Sequence, residues 1–362
     1  MTSKPDFSTF QEGAQRFEKA MQGIPDRVPV CAQMHEFAMK EIGAKPLEFY
    51  TTPEMLVNGT LEVQQKYGID VPVLDYDVYN IEAEAIGQEI IFSDDHIPDV
   101  DRTKPLIRDR NDLKKIRTPN FDAQGRFGQV IEMNRLFREV IGGQTEFALS
   151  FCAPFSLAAN IRGIEQLIMD MYADPDFARD LFDRVVEDLL APWILRLKKE
   201  FPNAAAICGN DATSSIPIVN LDILREWIVP YVLRLREICG PEIYVPNWVG
   251  EHNLKDPEEM LDLKRQVCPG FVEGQDPDVE NLGPELYKGY AEKHELPLIL
   301  GLGAGFLALS SPQQVGQRVK HYVEVGGKNG RFGLYLCNLG ATTSPENVSA
   351  AIEAVRNFGT YS

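Results

Sequence analysis

LPLILGL at residues 296–302, SPQQVGQRVKHYVEV at 311–325 and FGLYL at 332–336 form the stretch on which the fold turns. The outer two are short apolar runs closed off by turn residues, as expected of strands buried on both faces. The middle segment repeats its apolar residues at helical spacing, and Ser311-Pro312 sets a capping serine before proline at the first helical position. Strand, helix, strand is the unit of a parallel sheet, because parallel neighbours need a long crossover between them.

Further runs of the same kind stand at 28–34, 71–74, 147–153, 204–208, 243–249 and 270–273. Amphipathic helical segments fall at 164–172, 175–200, 221–238, 257–266 and 283–294, and Ser344-Pro345 opens a last one at 345–358. Eight strands alternating with helices predict an α/β fold, a (β/α)8 TIM barrel. A leading helix over 10–22, ending at Gly23, gives an N-terminal helical extension. The charge-rich segment 86–133, with Ser93-Asp94-Asp95, reads as an insertion after the second strand. One domain covering residues 1–362 is the economical reading, since barrels of this kind use such a length.

The chain has 36 Lys and Arg against 54 Asp and Glu, a formal net charge of -18. Nucleic-acid binding needs a basic footprint and is disfavoured. Hydrophobic residues make up 44%, enough for a large core. The six cysteines are scattered with no C-x-x-C pair, which suits reduced thiols packed as small hydrophobes. The first ten residues, MTSKPDFSTF, lack an apolar signal core, and no stretch approaches 18 uninterrupted apolar residues. The expected setting is cytoplasmic, away from membranes.

Barrel active sites gather at the C-terminal ends of the strands. There the sequence places His35, Asp75, Tyr76, Asp77, Asn210, Asp211, Asn247, Glu251, His252, Glu273, Gln275, Cys337 and Asn338. The set is rich in proton donors and nearly free of cations. Asn247 shares strand parity with Val245 and Val249 and is expected to face the barrel interior. A buried Asn needs partners, so a substrate contact is expected there. Asn210, Asp211, Trp248, Phe155 and Gln275 complete the expected substrate-binding set, with Phe37, Tyr76, Tyr79 and Phe151 as further aromatic lining.

Several motifs, in order, resemble the uroporphyrinogen decarboxylase superfamily, particularly its corrinoid-dependent methyltransferase branch. They are Asp26-Arg27-Val28-Pro29-Val30, Tyr67-Gly68-Ile69-Asp70, Asp75-Tyr76-Asp77, Glu82-Ala83-Glu84-Ala85-Ile86-Gly87, Ala153-Pro154-Phe155-Ser156-Leu157-Ala158 and Ser344-Pro345-Glu346-Asn347-Val348. Together they span roughly residues 14–358. Two departures narrow the expected activity. The decarboxylases carry an Arg-rich loop after the first strand, where this chain reads Cys31-Ala32-Gln33-Met34-His35-Glu36-Phe37. Thiol-alkylating members carry a His-x-Cys-Gly zinc signature, where this chain reads Asn247-Trp248-Val249-Gly250. Neither Asn nor Val supplies a zinc ligand.

The resemblance thus implies a methyltransferase that demethylates a small methylated substrate, an aryl methyl ether of the guaiacol kind, as an O-demethylase component. Its methyl acceptor would be a corrinoid carried by a separate protein. Asp77 is expected as general acid from its family-like position, with His35 and Tyr76 beside it. Zinc stays open through His252, Glu273 and Cys337. The trio Glu258, Glu273 and His294 resembles patterns of ether-cleaving members, but barrel geometry sets His294 at the opposite mouth. The rivals are a thiol-directed methyltransferase with a rebuilt zinc site and a catalytically silent barrel that binds a ligand or a corrinoid protein. Whether the chain forms a homodimer is also open.

Overall fold

The computed structural model describes residues 7–94, 96–142 and 148–361. Asp95, Phe147 and residues 1–6, which the sequence reading touches, lie outside them. Among the described residues the strands are β1 (Val30–Ala32), β2 (Ile90–Ile91), β3 (Asp99–Val100), β4 (Ala148–Cys152), β5 (Ala206–Asn210), β6 (Ile243–Tyr244), β7 (Val272–Gln275), β8 (Leu298–Leu302) and β9 (Phe332–Leu336).

The crossover between β8 and β9 is the helix Pro312–Gly326, and it starts on a full capping box. Ser311 Oγ accepts from Gln314 N, and Gln314 Oε1 accepts from Ser311 N at 2.8 Å. β8 and β9 pair in parallel, with Leu298 opposite Phe332 and Leu302 opposite Leu336. Parallel pairing extends to the order β1-β9-β8-β7 on one side and β4-β5-β6 on the other. Residues 71–74 join β1 through the bridge Cys31–Val71 and hold the second barrel position. All eight expected positions are filled. The fold is a (β/α)8 barrel.

Two seams interrupt the ladder, and each has a chemical explanation. At the second position, Val73 exchanges both of its backbone bonds with the buried amide of Gln64, at 2.7 and 3.0 Å, instead of with a neighbouring strand. Tyr76 then spans the gap to β4 by donating its hydroxyl to Ser150 O at 2.8 Å. Between β6 and β7 the bridge is Lys264, on the helix Glu258–Val267. Its Nζ donates to Trp248 O at 3.0 Å and to Glu273 O at 2.7 Å.

The leading helix, Thr9–Gln22, lies across the N-terminal mouth of the barrel. A Cβ added at Gly333 on β9 would stand 3.5 Å from Phe17 and 3.6 Å from Met21 of that helix. The insertion is shorter than expected. It carries the antiparallel β2–β3 ribbon and a turn at Arg110–Lys115, then gives way to the helix Phe127–Ile141. Phe127, Val130, Ile131, Asn134 and Phe137 are buried on that helix at helical spacing, so the apolar pattern overrides the preceding charges. Among the described residues, no helix is long and apolar enough to cross a membrane.

Candidate active site

The end of β1 turns sharply into the helix His35–Glu41. His35, its first residue, has φ of 22°, and Asn338 after β9 has φ of 48°. Non-glycine residues held there store strain, about 1–3 kcal/mol each, and such strain gathers at functional sites. The two side chains meet: His35 Nε2 lies 3.1 Å from Asn338 Oδ1. On the other side of the ring, Nδ1 lies 3.0 Å from Asp75 Oδ2, and the His35 amide also donates to that oxygen at 3.3 Å. Asp75 is buried, and burial pushes its carboxyl above the usual carboxylate range while His35 pulls the other way.

Asp75 borders a cavity of about 570 Å³ that runs down the inside of the barrel. Its rim carries Tyr76, Asn210, Asn247, Gln275 and Gln33; deeper in, Cys31, Ser150, Cys208, Tyr244, Glu273 and Tyr335 face the space. Gln275 donates to the Glu273 carboxyl, and Tyr335 donates to Gln33 Oε1. Burial raises the Glu273 carboxyl, against the pull of the Lys264 ammonium. The thiols of Cys31 and Cys208 are each pushed up to about 12, by burial first and then by the neighbouring charge of Glu273. They are thiols, not thiolates, at neutral pH. Among the described residues, the only cation on the wall is Arg236 at the far, N-terminal end, and it donates to Ile243 O.

The description of uroporphyrinogen decarboxylase (URO-D) matches residues 12–358. The chain belongs to the uroporphyrinogen decarboxylase family. A uroporphyrinogen decarboxylase of Syntrophotalea carbinolica is 28% identical over 238 residues, 64% of each chain. One of Sorangium cellulosum is 26% identical over 206 residues, 54% of this chain and 55% of that one. The match thus spans less than two thirds of either relative. Among solved structures, a methyltransferase from Methanosarcina mazei superposes with a TM-score of 0.76 at 20% identity, over 96% of this chain and 98% of that one.

In this member of the family, the expected site residues divide by where they lie. Tyr76 is at the rim, but its hydroxyl is committed to Ser150; His35 is off the cavity wall and reaches it through Asp75. Asp77 is not on the cavity wall. Arg126 clamps it with two bonds, at 2.8 and 2.6 Å, and Asn80 donates to it at 3.0 Å, so it anchors the insertion. Asn210, Asn247 and Gln275 line the cavity; Asp211, Trp248 and Phe155 do not. Asp211 is fully buried and accepts from Ser156, Ser214 and the Trp248 indole. Phe155 packs on Phe182 in the outer core, and Phe37, Tyr79 and Phe151 are likewise off the wall.

Asn247 reaches the cavity for a different reason than parity. Ile243 and Val245 face the outer helices and are part of the core there, while Tyr244 faces inward. β6 ends at Tyr244, and the chain turns at Pro246 to bring Asn247 in. Gly250 then takes φ of 119°, where a Cβ would lie 2.4 Å from Ile216 O. Only glycine fits that crossing.

Zinc does not fit the expected donor set. His252 is tied through Nδ1 to Asp278 and is off the cavity wall, whereas Glu273 faces inward and is bonded by Gln275. Cys337 is buried, and burial pushes its thiol far up. Glu258 pairs with Lys293 on the surface, and the His294 ring packs on Tyr290. Among the described residues, no three His, Cys, Asp or Glu side chains are grouped to hold a metal ion.

Sequence reasoning passed over Gln33, Cys31, Ser150, Cys208, Tyr244 and Tyr335 as wall residues. The signal was there in β5, where Ala206, Cys208 and Asn210 alternate with more buried neighbours.

Proposed function

We propose that this chain is a methyltransferase that takes the methyl group of a small aryl methyl ether and passes it to a corrinoid held by a separate protein. The observation that carries this reading is the cavity wall: amides, phenols and thiols, with Asp75 of the His35–Asp75 pair at the rim and, among the described residues, one cation at the opposite end. A polycarboxylate tetrapyrrole bound there would leave charges unpaired, each at a cost of several kcal/mol. An aromatic ring buries well against Tyr76, Tyr244 and Tyr335 and leaves one ether oxygen to be met by a donor.

The corrinoid, when its protein is docked, supplies the nucleophile that accepts the methyl group. The chain's own part is to hold the donor and to protonate what leaves. As the O–CH3 bond breaks, its electron pair stays on oxygen, and the phenolate takes a proton from the His35–Asp75 pair through Asp75, the member that lines the cavity, while Asn338 holds the far side of the ring. The raised thiols of Cys31 and Cys208 leave no thiolate to compete for the methyl group.

The test is a donor screen with a reduced corrinoid protein: methoxylated aromatics, methylamines, betaines and methanol, read as methylation of the cobalt centre by absorption spectroscopy. Turnover with methoxylated aromatics is expected. Turnover with methylamines alone, or tight binding of uroporphyrinogen, overturns the reading.

A further inference from the structure

A (β/α)8 barrel ordinarily fills its interior with layers of bulky branched side chains. This one does not. The lowest inward positions of β4 and β5 are Ala148 and Ala206, opposite one another, and the next are Ser150 and Cys208. On the far wall, the inward positions include Cys31 of β1 and the glycines Gly301 and Gly333. The result is the cavity of about 570 Å³, within the range that buries most of a drug-sized ligand (about 300–1,000 Å³). Along β5 alone, Ala206 to Asn210 spans about 13 Å at the usual strand rise. A single methoxylated ring at the rim would leave most of that length empty, and an unfilled void forfeits the packing of its walls.

The floor says what fills it. Phe17 and Met21 of the Thr9–Gln22 helix close the bottom with apolar surface. The two charged groups there are already engaged, Arg236 with Ile243 O and Glu242 with Lys198. We infer that the cavity is a tail tunnel, and that the substrate is an amphiphile whose methoxylated aromatic head sits beside Asp75 while an unbranched alkyl tail threads the barrel to Phe17 and Met21. The inference deepens the methyl-transfer reading and rests on it for the head group. The tail rests on the small side chains of the wall.

The experiment is calorimetric titration of the purified chain, without corrinoid protein, using guaiacols that carry para-alkyl tails from methyl to octyl. Alkylphenols with the same tails but no methoxy group run in parallel. Affinity for the guaiacols is expected to rise roughly fourfold per added methylene and to level off where the tail meets the floor. Ala206→Leu narrows the tunnel and should cut the octyl-to-methyl affinity ratio tenfold or more. Met21→Ala, on a helix outside the barrel wall, should move the plateau to a longer tail, and it keeps the test alive if the first variant fails to fold. A flat series in the unmodified chain, or a plateau that a folded Met21→Ala leaves in place, overturns the tunnel. Alkylphenols that gain with tail length and bind as tightly as the guaiacols would support the tunnel and sink the methoxy head instead.

Discussion

The rim of the barrel holds two His–Asp pairs, and they are built for different ends. His35–Asp75 stands beside the first seam, on backbone held at positive φ, with Asp75 facing the cavity. His252–Asp278 stands beside the second seam, and neither residue lines the cavity. Asp278 is fully buried and accepts from the amides of Gly250 at 2.7 Å and His252 at 3.0 Å. Burial alone would raise its carboxyl, but a bond with the Glu251 side chain, together with these amides and the His252 ring, holds it below the usual carboxylate range. The second pair therefore closes a loop, whereas the first presents its carboxyl to a void. A histidine–carboxylate pair is a sign of catalysis only where one of its members meets a space that a substrate can enter.

The largest effect expected from this contrast is at His35. His35→Ala should lower methyl transfer by about 10²–10⁴-fold, the range for loss of a general acid or base, while the folded fraction is unchanged by circular dichroism. Asn338→Ala, which frees one side of the ring, should fall between that variant and the parent. If His35→Ala turns over at near the parent rate, the first pair is no more catalytic than the second.

The second seam should answer in stability instead. Lys264 is buried and joins Trp248 O, Glu273 O and the Glu251 carboxylate, the last at 2.9 Å. Lys264→Met strips a buried donor from Trp248 O, Glu273 O and Glu251 together and should cost about 3–5 kcal/mol, read by chemical denaturation. Burial already holds the Glu251 carboxyl up to about 8 against the pull of Lys264. A carboxyl raised on folding gives up stability as pH climbs through its folded value. Removing Lys264 raises Glu251 further, so the cost of the substitution should grow from pH 7 to pH 9. A cost that is constant across that range would mean Glu251 is not the partner that matters.

The sequence made the barrel legible because strands covered on both faces read as unbroken apolar runs, and even 71–74, which forms no regular strand, kept that pattern. What it hid was direction. Ile243, Val245 and Phe151 look like interior residues because they are apolar, yet the outer face of a barrel strand packs on helices and is the greasier side. Cys31 and Cys208 face the interior, yet as scattered thiols they read in the sequence as small hydrophobic filler. Asp77 misled for another reason. Its partner Arg126 lies 49 residues away, and no local pattern links the two. His35, Asp75 and Asn338 were each placed at strand ends, but only the fold shows that the three touch.

The smallest expected effect is the sharpest check on the contrast. His252→Ala removes the imidazole from Asp278 but leaves the two backbone amides that satisfy the same carboxylate. Asp278 also keeps its bond to the Glu251 side chain, and the lost ring is partly open to solvent at 28% exposure. The expected cost is about 1 kcal/mol of stability, the usual net worth of one such bond. Turnover should stay within about twofold of the parent, because a change of that size spread over a closed loop leaves His35 and the cavity wall in place. Denaturation and initial-rate measurements on one preparation separate the two quantities. A hundredfold loss of rate with little loss of stability would move His252 into the site and make the two pairs partners across the mouth. That outcome would also reopen the proton's route, since the ring on the second seam would then have to reach the leaving oxygen or act through Glu251.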